Sequence, residues 1–249
     1  MAKIAIIGGT GLTSIASLEI TRTETVSTPY GEPSGPLTHG VLFDHEVVFL
    51  PRHGQGHTIP PHEVNYRANI WALKSIGVDN VLAIAAVGGI RKDLIPGGIV
   101  IPDQIIDYTS SRENTFFDGS DGPVQHIDFT WPYCEALRQL AINAGKNAGI
   151  DISDKGTYAV TQGPRLETAA EVDRLERDGA DMIGMTGMPE AALARELELC
   201  YAACAVIAND AAGRGKGEIT LDEIEQNLLG GMKKVEQLLE IFLPTCKTL

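Results

Sequence analysis

The 249-residue sequence holds no apolar stretch of membrane-spanning length, so no transmembrane helix is expected. It does not open on a signal-peptide core either. Met1-Ala-Lys leads straight into Ile4-Ala-Ile-Ile7, a strand-length run closed by Gly8-Gly9. Cysteine is scarce: Cys134, Cys200, Cys204 and Cys246 include no CxxC pair, and Cys200 and Cys204 lie in an apolar run where buried thiols are common. That pattern argues against a disulfide framework and for a reducing, cytoplasmic setting. Positive charge is outnumbered, with 20 Lys and Arg against 33 Asp and Glu and a net charge of −13. Nucleic acid and anionic membrane surfaces are therefore disfavoured as partners. An anionic small molecule remains compatible through a few local donors. Internal repeats, low-complexity tracts, linkers and an HExxH zinc signature are also missing.

What is present fits one large α/β domain over residues 1–249, with an ordinary 43% hydrophobic and 21% charged composition. Strand signals alternate with helical ones. Ile4–Ile7, Val47–Leu50, Val81–Val87, Ile99–Ile106, Tyr158–Thr161, Asp181–Met185 and Tyr201–Ala208 read as strands. Val81–Val87 is apolar throughout, as suits a strand buried on both faces. Helical spacing marks Val64–Ile76, Trp131–Ala148, Glu167–Arg177 and a segment from Pro189-Glu190 to Leu199. A capping box, Thr220-Leu-Asp-Glu223, starts a last helix with Leu221, Ile224, Leu228, Met232, Val235 and Leu239 on one face. The expected fold is a mixed, mostly buried sheet flanked by helices.

Chemistry-bearing residues cluster at the predicted strand ends. Gly8-Gly-Thr10-Gly11 follows the first strand, where glycines admit an anion to backbone N–H groups and Thr10 adds a hydroxyl. The rival reading is a dinucleotide fingerprint, but Ser14 replaces the third glycine and no acidic residue ends a second strand at the required distance. Pro51-Arg-His-Gly-Gln-Gly-His57 offers Arg52 with paired planar donors for phosphate and His53 as a donor beside it. Zinc on His53, His57 and His62 is the alternative there, and Gly54, Gly56, Pro60 and Pro61 break any helix that would align them. Glu167 in Gly163-Pro-Arg-Leu-Glu-Thr168 reads as a ligand contact or a helix-dipole partner. Thr186 and Asn209-Asp210 stand at two further strand ends, as turn residues or ligand readers. Strand ends of one parallel sheet can converge on a single crevice.

Taken in order, Gly8-Gly-Thr-Gly11, Pro51-Arg-His-Gly54, His57-Thr-Ile59, Asn65–Leu73, Gly163-Pro-Arg165, Gly179-Ala-Asp181 and Met185-Thr186 resemble the trimeric purine nucleoside phosphorylase and methylthioadenosine phosphorylase family over nearly the whole chain. The resemblance implies phosphate contacts at Thr10, Arg52, His53, the Ala86 N–H and Thr186. It implies Met185 and Leu166 against the nucleoside, Asn209 and Asp210 at the purine, Leu221 and Ile224 around a 5' methylthio group, and His126 reaching a neighbour's 5' pocket in a homotrimer. Asp210 and Glu167 would be the catalytic pair, with Asp210 stabilising the departing purine at N7. Inorganic phosphate would be co-substrate, with no metal or organic cofactor. Three departures sharpen the expectation. Ala85 replaces a phosphate-binding threonine, Ala212 stands where methylthioadenosine enzymes carry the second aspartate of Asp-x-Asp, and Glu167 matches the glutamate of 6-oxopurine enzymes. A carboxylate accepts N1–H of hypoxanthine but faces an N1 lone pair in adenine, so 5'-methylthioinosine is the expected substrate. Methylthioadenosine or inosine/guanosine phosphorolysis are the nearest alternatives, and a nicotinamide-dependent oxidoreductase or a non-catalytic nucleoside-binding protein the remote ones.

Overall fold

A computed structural model describes the chain except residues 1–2, 10–11, 13–14, 16, 120–121 and 249 and the side chains of 247 and 248. Strand β1, Ile4–Gly8, is followed by β2, Glu19–Glu24, β3, Leu37–Leu42, and β4, His45–Pro51. Helix α1, Tyr66–Ser75, leads to the long β5, Asn80–Gly89, and then to β6, Ile99–Val100, and β7, Gln104–Asp107. Helix α2, Glu135–Asn147, precedes β8, Ile152–Ser153, and β9, Thr157–Val160. The remainder is α3, Ala169–Arg177, β10, Met182–Gly184, α4, Gly187–Glu196, β11, Cys200–Asp210, and α5, Leu221–Phe242.

Among the described residues these strands form one eleven-stranded mixed sheet in the order β2-β3-β4-β1-β5-β10-β9-β7, with β11, β6 and β8 branching from β5. Alternation along the central strands sorts side chains into two cores. Ala5, Ile7, Ala83, Ala203 and Ala205 meet Ile70 and Leu73 of α1 and Ala191 and Leu193 of α4 on one face. Ile6, Leu82, Ile84, Cys204 and Val206 meet Leu137 and Ala141 of α2 and Val235 and Leu239 of α5 on the other. Coverage of both faces explains why β5 and β11 read as continuous apolar runs.

β5 runs parallel to β1 only as far as Ala83, and antiparallel β10 joins it only at Gly88. Between them Ile84–Val87 has one edge paired to neither strand, and the functional cavity opens there.

Several boundaries differ from the sequence expectation. Residues 99–106 are two short strands, β6 and β7, because Pro102 removes a ladder donor between them. β2 and β3 carry no apolar alternation strong enough to announce them, and β2 is mostly exposed. Helix α2 starts at Glu135, leaving Trp131 66% exposed ahead of it. Helix α3 starts at Ala169 because Thr168 and Glu171 form a reciprocal capping box, which leaves Glu167 in the loop before it. The expectation against a disulfide is also overturned: Cys134, preceding α2, and Cys200, opening β11, are bonded with their Cα atoms 5.1 Å apart. They lie 66 residues apart in sequence. The Cys134 N–H donates to the Tyr201 carbonyl, so tertiary packing, invisible in cysteine spacing, joins them. Cys204 and Cys246 are buried free thiols.

Candidate active site

A cavity of about 440 Å³ lies where β1 and β4 end, beside the open edge of β5, with β10 and β11 delivering its far wall. It gathers Arg52, His53, Ala86 and Thr186 together with Leu166, Glu167, Met185 and Asn209. Leu221 and Ile224 stand at its mouth with Ile219. Loops and strand ends thus bring together residues from six separate stretches of sequence.

Arg52 anchors the polar side and is only 1% exposed. Its Nε and Nη2 donate to the two oxygens of Glu190 at 2.7 and 2.8 Å, and Nη1 donates to the Ile84 carbonyl at 2.8 Å. A guanidinium has five N–H groups, so two are left for a ligand. Burial works against the charged guanidinium, but the Glu190 carboxylate overrides it and raises the Arg52 pKa above its ordinary value. Glu190 is fully buried and also accepts from the Tyr201 hydroxyl at 2.8 Å. Glycine is required at Gly9, where a Cβ would meet the Ile84 carbonyl at 2.8 Å and Arg52 Nη1 at 2.9 Å.

His53 is 4% exposed and its Nδ1 lies 2.8 Å from the Ile59 carbonyl. A carbonyl can only accept, so the ring's N–H points there and not toward a ligand as the sequence reading expects. Burial, and then the neighbouring Arg52 charge, pull the His53 pKa down to about 4, so the ring is neutral near pH 7. Thr186, at the start of α4, makes no capping bond with its side chain.

Also on the cavity lining, Glu167 Oε1 accepts from the Thr161 hydroxyl at 2.6 Å, which fixes the carboxylate. Asn209 enters the wall because β11 carries a bulge between Ile207 and Asn209. Its amide donates to the Asp210 carbonyl at 2.6 Å, leaving one N–H and the amide oxygen. Asp210 itself is exposed, is not part of the wall and packs toward Gly215, because successive strand residues point to opposite sides. Ala85 and Ala212 line the cavity. Thr10 lies outside the described residues. His126 is exposed, in the irregular stretch before α2, and does not touch this cavity. Among the described residues no three His, Cys, Asp or Glu side chains gather as a metal site.

Glu190 and Arg112 are the functional residues that sequence reasoning passes over. Glu190 carried one signal, a carboxylate inside the otherwise apolar Met188-Pro-Glu-Ala-Ala-Leu193 run. Arg112 carried none. Its Nη1 donates to the carbonyls of Met185 at 2.8 Å and Met188 at 2.6 Å, and its Nη2 to the Gln162 carbonyl at 2.9 Å. It thereby ties the Glu167 loop to the Met185-Thr186 loop. Arg112→Lys removes the planar fork but keeps the charge. We expect it to raise KM for both substrates about 10-fold while circular dichroism stays native; initial rates with each substrate varied in turn check this.

The matched family model is the phosphorylase superfamily, over residues 3–244. A relative from Pseudomonas syringae pv. tomato named probable S-methyl-5'-thioinosine phosphorylase is 55% identical, covering 95% of this chain and 96% of its own length. The 6-oxopurine nucleoside phosphorylase of Pyrococcus furiosus is 48% identical, covering 98% of this chain and 91% of its own. Among solved structures, methylthioadenosine phosphorylase from Schistosoma mansoni in complex with adenine superposes with a TM-score of 0.95 at 33% identity, over 100% of this chain and 93% of that one.

Proposed function

The chain belongs to the phosphorylase superfamily, and from that premise we propose that it cleaves S-methyl-5'-thioinosine with inorganic phosphate to hypoxanthine and 5-methylthioribose 1-phosphate. One observation carries the reading: a single cavity gathers cationic and hydroxyl donors, a fixed carboxylate, an amide and apolar side chains. Phosphate binds to the two remaining Arg52 N–H groups, Thr186 and the open edge of β5 at Ala86, with Thr10 completing the set. Glu167 accepts N1–H of the 6-oxopurine. Asn209 takes over the leaving-group role that the sequence reading gives to Asp210, because it is Asn209 that lines the wall. Its free N–H meets the charge that builds on the purine as the glycosidic bond stretches.

Phosphate lies under the sugar, and its negative charge favours the oxocarbenium-like centre. A phosphate oxygen then bonds to the anomeric carbon as the bond to the purine nitrogen breaks, with inversion. No side chain acts as nucleophile and no organic or metal cofactor takes part. Positioning and electrostatics supply the rate. Met185 packs against the ribose, and Leu166, Leu221 and Ile224 flank the 5' group. The working unit is a homotrimer, in which the exposed His126 approaches a neighbour's 5' end.

The reaction is tested by following hypoxanthine release and the phosphorus spectrum with and without phosphate. Phosphate-dependent formation of a sugar 1-phosphate supports the reading, and hydrolysis without phosphate contradicts it. Ile224→Ser is expected to lower kcat/KM for methylthioinosine about 10-fold while leaving inosine nearly unchanged, as parallel rate measurements on both nucleosides would reveal.

A further inference from the structure

We propose that His53 is the acceptor in an otherwise donor-lined anion site, and that it restricts binding to tetrahedral oxyanions carrying an O–H, phosphate and arsenate, against those carrying none, such as sulfate and monofluorophosphate. The proposal rests on the phosphorolysis reading and names what that same site demands of its anion.

The Ile59 N–H donates to the His53 carbonyl at 2.9 Å, and the Ile59 carbonyl lies 2.8 Å from His53 Nδ1. The backbone bond holds Ile59 in place, and the bond from Nδ1 to its carbonyl fixes the ring's orientation and its tautomer. A flipped ring, or one protonated only at Nε2, would lose its partner and leave the Ile59 carbonyl unmatched. The turn that makes this closure has Gly54, Gly56 and His57 at positive φ, and it brings the His57 ring to 4.4 Å from the His53 ring.

With Nδ1 carrying the proton, Nε2 presents a lone pair. Nε2 has no hydrogen-bond partner among the described residues, and it is not among their sealed, unpartnered polar atoms. With Nδ1 turned to the Ile59 carbonyl, Nε2 is the ring nitrogen left for the cavity that the residue lines. The charged and titratable groups acting on the ring are Arg52 and His57, and neither favours a second positive charge there. The other groups offered to the anion are the remaining Arg52 N–H pair, the Thr186 hydroxyl and the Ala86 edge of β5. An anion in this site therefore meets several donors and one acceptor.

At neutral pH phosphate and arsenate retain an O–H that can donate to Nε2. Sulfate and monofluorophosphate have the same shape and similar charge but oppose lone pair to lone pair. A site built to bond a ligand O–H rejects an analogue that lacks it, because the buried partner is left unmatched.

Isothermal titration of the whole enzyme at neutral pH with phosphate, arsenate, sulfate and monofluorophosphate tests this directly. Phosphate and arsenate are expected to bind alike, with the other two weaker by about 100-fold or more. Sulfate and monofluorophosphate binding within a few-fold of phosphate would overturn the acceptor role and leave the phosphorolysis reading standing. Failure of phosphate itself to bind would overturn both. His53→Gln, whose amide can donate an N–H, should bring the sulfate-to-phosphate ratio toward unity; a ratio unchanged from the wild type would also overturn the proposal. The wild-type comparison is decisive even if that variant fails to fold.

Discussion

Replacing Glu167 by glutamine is expected to cut kcat/KM for methylthioinosine by about 100-fold and to raise the relative activity on methylthioadenosine. The carboxylate is anchored through Oε1 on the Thr161 hydroxyl, so its second oxygen is presented to the base in one orientation. A hydrogen bond from N1–H to that charged oxygen contributes about 1.5–3 kcal/mol. Adenine offers a lone pair at the same position, and a fixed anion facing it is repulsive. The glutamine amide can turn either its oxygen or its N–H toward N1, so it loses the charged bond to hypoxanthine and the repulsion of adenine together. The effect belongs in the ratio of the two substrates. A uniform fall for both would point to a damaged loop instead, and Thr161→Val, which frees the carboxylate without removing it, should give a smaller shift in the same direction.

The second large effect concerns Glu190. Glu190→Leu strands the Arg52 charge in a site that is 1% exposed, and breaking such a pair costs about 3–5 kcal/mol of stability. Urea unfolding should show that loss. The double variant Arg52→Met with Glu190→Leu removes both charges and should recover most of the stability, since a buried ion pair contributes little over apolar packing. It should nevertheless stay inactive, because the guanidinium that holds phosphate is gone. Recovery of stability without activity separates the pair's catalytic use from its structural one. Recovery of both would mean that Arg52 does not serve the anion.

The two central strands were legible because both of their faces are buried, and continuous apolar runs such as Val81–Val87 have few other uses. The strand-end loops were legible because Arg52, Thr186 and Asn209 follow strand-length runs directly and Glu167 follows one across a Gly-Pro turn. Geometry supplied what one-dimensional spacing does not encode. The bulge in β11 decides that Asn209 rather than Asp210 lines the cavity. Leu221, read as one position of a buried helical face, is 76% exposed at the cavity mouth, while Leu228, Val235 and Leu239 of the same face reach the core. The Cys134–Cys200 bond and the Arg112 clip join segments distant in sequence, and no local pattern marks either. His53 was found by its motif, but the direction of its hydrogen bond came only from the Ile59 carbonyl.

The central claim is that this site reads a 6-oxopurine with a methylthio sugar, and the ratio of kcat/KM for methylthioinosine to that for methylthioadenosine at saturating phosphate tests it most directly. The account predicts a ratio of about 100 or more in favour of methylthioinosine. A ratio near one, or a preference for methylthioadenosine, would contradict it.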